Sequence, residues 1–337
     1  MLRNRVYCYA ATRSRQNAVR HWTPDVAAHR CGRGSLGMSG TVLVYNPQSG
    51  SGSHSESVAS RVTEHGYDIE ETEAAGDAVS LSEAAAESGY DTIVAAGGDG
   101  TVNEVVRGMD RAGALADVTL GVLPLGTGNN FAQQLGISDR ETAFDVLADG
   151  DRRRIDLGQA SDRPFVNSCV AGLTAESSSE TSAAMKDRIG VLAYVVTGLR
   201  SMSDFESLRL TIDPADDDQS AAWAGDAICV LVGNGRRFTT AGGEQADMED
   251  GLLDVVVIKD VSAFDLMSDR ITERLLGDDS EHIIRSKASS LTITNHDPSA
   301  IRFSLDGEII RHRELALTAR PTTLSVAVGD GYDIDPE

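Results

Sequence analysis

Lysine is nearly missing from this sequence of 337 residues: Lys186, Lys259 and Lys287 are the only three, and the other 27 basic residues are arginine. Basic charge is scarce altogether, with 30 Lys and Arg against 52 Asp and Glu and a net charge of −22. No basic stripe exists to neutralise a phosphodiester backbone, so nucleic acid is not an expected partner. The four cysteines (Cys8, Cys31, Cys169, Cys229) show no CxxC spacing, and the seven histidines form no HxxxH pair or Cys/His cluster. This argues against a disulfide framework and a zinc site. Aromatics are 5% of residues while hydrophobics are 41%, so Val, Leu, Ile and Ala must fill the cores. No apolar run reaches the ~18 residues of a membrane-spanning helix.

What is present divides unevenly. Residues 1–38 hold seven Arg and a single acid, Asp25, whereas the remainder holds 23 basic and 51 acidic residues. That leader lacks the apolar stretch of a secretory signal. We read it as an extension, with Met38-Ser39-Gly40 as the natural start, and leave it out of the fold. The acidic, lysine-poor remainder is what a cytoplasm at molar salt favours, because at about 1 M salt the Debye length is about 3 Å and like charges cease to repel at range. A halophilic archaeon is the source this composition suggests. At about 150 residues per domain the length accommodates two domains.

From residue 41 onward, apolar runs alternate with helical patterns. Strands are expected at 41–45, 67–72, 92–96 and 120–123. Helices are expected from 53 to about 65, at 77–88, at 102–109, near Asn129, and after a cap at Ser138-Asp139-Arg140-Glu141. Ser53-His54-Ser55-Glu56 and Thr101-Val102-Asn103-Glu104 have the spacing of capping boxes. Such alternation implies a parallel sheet, with ligands beyond the carboxyl ends of its strands. Past about residue 152 the pattern turns to strands at 154–159, 165–170, 208–212, 227–232, 254–258, 291–294 and 301–305, with a turn-like stretch at 213–219. Helical patterns persist only at 188–202 and 262–276. The expected fold class is therefore α/β in two domains. The first is an N-terminal parallel-sheet domain over 40–152, the second a mostly antiparallel domain over 153–317. A last strand at 322–328, within 318–330, returns to the first domain.

Four segments carry chemistry. Gly97-Gly98-Asp99-Gly100-Thr101 lies between an apolar strand and a helix, and three glycines there let backbone N–H groups approach a phosphate closely. Asp99 stands where a phosphate-bound Mg²⁺ is expected, and Thr101 where a hydroxyl serves as cap or phosphate contact. Pro124-Leu125-Gly126-Thr127-Gly128-Asn129-Asn130-Phe131-Ala132 is a second glycine turn of the same kind, and two at neighbouring strand ends can grip one nucleotide. Asn46-Pro47-Gln48-Ser49-Gly50-Ser51-Gly52 is a weaker third, equally a flexible loop. Ser304-Leu305-Asp306-Gly307-Glu308 has the composition of a type I′ hairpin turn, and Glu308 in it is a candidate acceptor for a substrate hydroxyl's proton. There is no GxxxxGK[ST], no HRD or DFG, and no third glycine of a GxGxxG fingerprint, so P-loop, protein-kinase and dinucleotide sites are set aside.

Taken together these segments resemble the diacylglycerol kinase catalytic domain family, which includes YegS-type lipid kinases and sphingosine kinases and shares the NAD kinase-like core. The matching residues are GGDGTVNEV at 97–105, PLGTGNNFA at 124–132, NPQSG at 46–50, KDRIGVLAYVVTGLR at 186–200, DGLLD at 250–254 and LDGE at 305–308. The resemblance implies an ATP-binding domain and a β-sandwich domain, with the site between them. It implies that Asn46, Thr72, Gly97, Gly98, Asp99, Gly100, Thr101, Val102, Asn103, Gly126 and Thr127 contact ATP. It further implies that Asp99 helps to hold catalytic Mg²⁺, that Glu308 accepts the proton, and that Asp250 with the carbonyls of Asp247 and Leu252 forms a structural Mg²⁺ site. The expected activity is transfer of a phosphoryl group from ATP to a diacylglycerol-like or other lipid alcohol. The expected place is the cytoplasm, peripheral on the inner face of the membrane. ATP, a lipid alcohol and a second copy of the chain are the partners this admits. Alternatives are a soluble-substrate kinase of the NAD kinase type, which PLGTGNNFA disfavours, and a non-catalytic nucleotide-binding regulator, which the retained Asp99 and Glu308 disfavour. Two departures stand out: Ser51-Gly52-Ser53 replaces the basic residue often found after NPxSG, and Ala171-Gly172-Leu173-Thr174 stands at a family segment on the acceptor side.

Overall fold

The computed structural model describes residues 40–50, 55–172, 207–215, 222–238, 243–260 and 282–336. The leader 1–38, the capping box at 53–56 and the helical patterns at 188–202 and 262–276 lie wholly or partly outside the described residues.

The first four strands are β1 (Thr41–Tyr45), β2 (Asp68–Glu71), β3 (Thr92–Gly97) and β4 (Thr119–Pro124), all parallel in the order β2-β1-β3-β4. Apart from its first residue, β3 is buried along its whole length, as a parallel strand covered by helices on both faces must be. The helices are α1 (Ser55–His65), α2 (Asp77–Ser88), α3 (Asp99–Arg111), the short α4 (Asn130–Gln134) and α5 (Arg140–Asp149). In α3, Val102, Val105, Val106 and Met109 recur at helical spacing and are all buried in the core of this domain. Gly108 lets α2 approach, because a Cβ there would stand 1.9 Å from Ser82 Oγ and 2.2 Å from Val79 O.

Two expectations at helix starts are revised. α3 begins two residues before Thr101, its N-cap Gly98 has no side-chain cap, and Glu104 instead accepts from the Gly76 N–H at 3.1 Å. At α5 the cap is Asp139, whose carboxylate accepts from the N–H groups of Glu141 and Thr142, with Ser138 supporting it.

The second half is antiparallel apart from one junction. Its strands are β5 (Asp151–Ala160), β6 (Arg163–Phe165), β7 (Ser168–Gly172), β8 (Leu208–Pro214), β9 (Trp223–Gly233), β10 (Arg236–Phe238), β11 (Gly243–Gln245), β12 (Leu253–Lys259), β13 (Ile283–Ala288), β14 (Ser290–Asn295), β15 (Ile301–Leu305), β16 (Glu308–His312) and β17 (Glu314–Val328). β14 alternates buried and half-buried residues, the signature of a strand with one face on a core. That core gathers Phe165, Phe303, Val230, Leu291 and Leu317 in a β-sandwich separate from the core around β1, β3 and β4. β17 joins the two: its first residues pair with β14, and Val326 pairs in parallel with Leu120 of β4. Between these halves its register on β5 shifts, at Arg320 to Leu324, and Thr322 takes φ 47°, an unusual conformation for a β-branched residue. The Thr322 N–H donates to Asp156 Oδ1 at 2.7 Å, which holds the bulge.

The expected single strand at 165–170 is broken. Phe165 ends β6 and Ser168 begins β7 because the N–H groups of Val166, Asn167 and Ser168 turn to the carboxylate of Asp306 at 2.7–2.9 Å.

Candidate functional site

Three glycine loops converge at the carboxyl ends of β1, β3 and β4. Gly98 and Gly126 meet backbone to backbone: a Cβ on Gly126 would stand 2.5 Å from Gly98 Cα. Gly50, at φ +58°, presses on Leu125 O, which a Cβ there would approach to 2.4 Å. Gly97 leaves room for the Thr101 side chain, and Gly100 has open space where its Cβ would be. The contacts at Gly50, Gly97 and Gly126 demand glycine whatever binds nearby.

A cavity of about 430 Å³ opens above them, walled by Asn46, Gln48, Gly98, Gly100, Thr101 and Glu104 among others, with Thr72 and Gly126 also on its surface. Along α3, the N–H of Val102 is the first with a helical acceptor, Gly98 O at 3.1 Å. The N–H groups of Asp99, Gly100 and Thr101 precede it in an uncapped first turn, where the helix dipole adds partial positive charge. Asn46 Nδ2 donates to Thr101 Oγ1 at 3.3 Å, and its Oδ1 accepts from the Gln48 N–H at 3.0 Å, so one side chain ties the first loop to the second. Thr72 is held by Tyr45 O, to which its N–H and hydroxyl both donate.

Not every expected nucleotide contact faces this cavity. Val102 is buried in the core, and its N–H is used within α3. Asn103 is buried and donates from Nδ2 to Asp306 Oδ2 at 3.0 Å. Thr127 is exposed beyond Gly126, and Gly97 lies beneath Thr101. Asp99 turns towards α4. Its Oδ2 accepts from the Asn130 N–H at 3.0 Å, and its Oδ1 accepts from the Phe131 N–H at 2.9 Å and from Asn167 Nδ2 at 3.4 Å. Its oxygens thus cap the start of a neighbouring helix, α4. Glu104 is the acid of α3 that lines the cavity. Burial raises its pKa, the Gly76 N–H opposes this, and the charge of Glu308 raises it further.

The second half brings Glu308 to the same helix. β15 and β16 pair Leu305 with Glu308 around Asp306-Gly307, whose φ values of 45° and 98° are those of a type I′ turn. Arg107 Nη1 donates to Glu308 Oε1 at 3.1 Å, and Arg163 Nη2 donates to Oε2. Removal from water pushes the Asp306 carboxyl up to about 6, although the N–H groups of Ser168, Val166 and Asn167 and the Asn103 amide oppose that rise. Arg107 and Arg163 were not singled out by sequence reasoning, and Glu104 and Asp306 were named there only as parts of a capping box and a hairpin turn. For Arg107 and Glu104 a signal existed, since with Thr101 they recur every three residues beside the apolar stripe of α3.

The expected structural Mg²⁺ site is disposed differently. Asp250 Oδ2 accepts from Lys287 Nζ at 2.6 Å, its Oδ1 accepts from the Leu252 N–H at 2.8 Å, and Asp247 Oδ1 accepts from the Glu249 N–H at 2.9 Å. Among the described residues no group of three His, Cys, Asp or Glu is placed to hold a metal ion. With an ammonium on its principal oxygen, this donor set does not fit a hard dication.

Residues 40–160 match the family model of the diacylglycerol kinase catalytic domain, and residues 167–328 that of the YegS C-terminal NAD kinase beta sandwich-like domain. A Pseudomonas putida protein named "Probable lipid kinase YegS-like" is 33% identical over 78% of this chain and 86% of its own length. The chain belongs to the YegS-like lipid kinase family. A Staphylococcus epidermidis relative of this lipid kinase, named "Diacylglycerol kinase", is 31% identical over 79% of this chain and 84% of its own. A crystal structure of a diacylglycerol kinase from Bacillus anthracis shares the fold, with TM-score 0.64 and 22% identity, covering 87% of this chain and 97% of that one. No helix among the described residues is long and apolar enough to cross a membrane.

Proposed function

We propose that this lipid kinase transfers the γ-phosphoryl group of ATP to the hydroxyl of a diacylglycerol-like or other lipid alcohol, in the cleft between the glycine loops and the Asp306–Gly307 hairpin. One observation carries the reading. A cavity walled by the uncapped first turn of α3 stands beside a carboxylate, Glu308, brought to the same helix from the other domain. Phosphoryl transfer asks chiefly for positioning and charge stabilisation, which backbone N–H groups supply without reorganisation. The first turn of α3 and the open space at Gly100 suit phosphate oxygens, and Asn46 and Thr101 fix the rim. A divalent cation bound with the nucleotide would neutralise phosphate charge, and Glu104 and Glu73 are the acids of the cavity wall that could face it.

In the transfer, the acceptor oxygen forms a bond to the γ-phosphorus as the bond to the bridging oxygen of ADP breaks, and the hydroxyl proton passes to Glu308. Each Glu308 oxygen accepts from one arginine and keeps a second lone pair for that hydroxyl. A carboxylate is a weak base towards an alcohol, so it orients the hydroxyl first and takes the proton late. Arg107 and Arg163 hold Glu308 at the cleft.

The test is γ-labelled ATP with a crude lipid extract, and with diacylglycerol, NAD or no acceptor in parallel. Label in the organic phase supports the reading. Label confined to NAD, or hydrolysis alone, replaces it. Flotation with liposomes across salt concentrations tests the peripheral membrane site. Binding that persists in molar salt supports docking through apolar contact, and binding confined to low salt overturns it.

A further inference from the structure

With three lysines in the chain, the position of Lys287 is informative. It lies on β13 directly opposite Asp254 of β12, and its Nζ reaches Asp250 Oδ2 at 2.6 Å. Around it the fold gathers Asp156, Asp247, Asp250 and Asp254. Burial raises the pKa values of Asp156 and Asp254, and the charges of Asp250 and Asp247 raise both further. Arg237 and Lys287 act on Asp254 in the opposite sense. Burial alone would lower the Lys287 pKa, but its hydrogen bond to Asp250 and the charges of Asp254 and Asp250 more than reverse this.

This acidic cluster is also a joint between the two halves of the molecule. Asp156, on β5, accepts from the Gly251 N–H at 2.6 Å and from the Thr322 N–H at 2.7 Å, and its own N–H donates to Met248 O at 2.6 Å. The loop at 247–252 is thereby tied to the strand that carries the chain out of the first domain and to the bulge of β17. Next to it Glu249 is already satisfied by Arg153, at 2.9 and 2.6 Å, and by Tyr332 Oη at 3.0 Å. Asp250 is the carboxylate of the loop whose cation is Lys287.

We propose that Lys287 is the resident cation of this joint, its ammonium holding the loop in place of a bound divalent metal ion. A compact ammonium with three donors serves as a point charge on a single carboxylate oxygen, which the planar fork of arginine matches less well. A cation carried by the chain is independent of free metal concentration. The proposal holds whatever the lipid acceptor proves to be.

The experiment is thermal unfolding of the full chain without nucleotide, in chelator and in millimolar MgCl₂. The wild type is expected to unfold within about 1 °C of the same temperature in both, and Lys287→Met to fall by about 5 °C in chelator and to recover at least half of that loss with Mg²⁺. The double variant Asp250→Asn with Lys287→Met removes the unpaired charge and is expected to ignore Mg²⁺. A wild type that gains several degrees saturably with Mg²⁺ overturns the proposal, as does a Lys287→Met protein indifferent to the ion. Should Lys287→Met fail to fold, Lys287→Gln is read by the same criteria.

Discussion

Two turns reach the cleft from opposite halves of the molecule, and they treat backbone N–H groups in opposite ways. The turn at Gly98–Thr101 leaves the first N–H groups of α3 uncapped at the edge of a cavity. The hairpin turn at Asp306–Gly307 does the reverse: its carboxylate takes up three N–H groups of the 166–168 segment and the Asn103 amide. Donors left open describe a place for an anion, whereas donors consumed describe a structural joint. Two residues further on from Asp306, Glu308 lies between the arginines of α3 and β6. In the proposed function the hairpin therefore combines an acid that holds the fold with an acid assigned to the chemistry, and substitutions should separate them.

The largest effect is expected at Glu308. Glu308→Gln should lower turnover by more than about 10²-fold with the unfolding temperature little changed, as steady-state kinetics beside thermal unfolding would show. Undiminished turnover would remove Glu308 from the chemistry and leave the hairpin purely structural. Asp99→Ala is expected to differ from it in kind. Because Asp99 holds the N-terminus of α4 and touches Asn167, activity and stability should fall together.

Asp306→Ala should be the most costly for the fold, by about 3 kcal/mol or more, since several N–H groups lose their acceptor at once. Urea unfolding measures it, and a loss under about 1 kcal/mol would mean that water replaces the carboxylate. On the open side of the comparison, Gly126→Ala drives a methyl group into Gly98 and should cost roughly 1–3 kcal/mol. Nucleotide affinity measured by calorimetry should fall with it. Retained affinity would show that the two loops can part without losing the cradle.

The smallest effect is a slope with pH. Asp306 is raised from 3.8 to about 6 in the folded state, so between those values the folded protein holds a proton that the unfolded chain has lost. Its contribution to stability is therefore fully present below about 4, is lost as pH rises to about 6, and is constant above. The urea midpoint of the wild type minus that of Asp306→Asn should decline over that window. A difference that is flat or rises there would mean that the four donors outweigh the loss of water.

Much of the parallel half was legible in the chain, because a strand buried on both faces reads as an unbroken apolar run and its glycine turns leave a compositional mark. The start of α3 was misread by three residues. Thr101-Val102-Asn103-Glu104 has the letters of a capping box, but Glu104 is drawn to Gly76, a partner from another loop. The break between β6 and β7 could not be read locally at all, since the group that causes it, Asp306, is about 140 residues away in sequence.

The sequence by itself determined the two glycine turns at neighbouring strand ends, the order of the elements in the parallel half and the type I′ hairpin, all of which depend on local backbone preference and short-range pattern. Only the tertiary structure decided which side chains face the cavity, that Asp99 serves α4, that Arg107 and Arg163 clamp Glu308, and that Lys287 stands on Asp250. Those outcomes rest on charges and hydrogen-bond donors brought together from distant segments, and their pairing is settled by packing once the chain has closed.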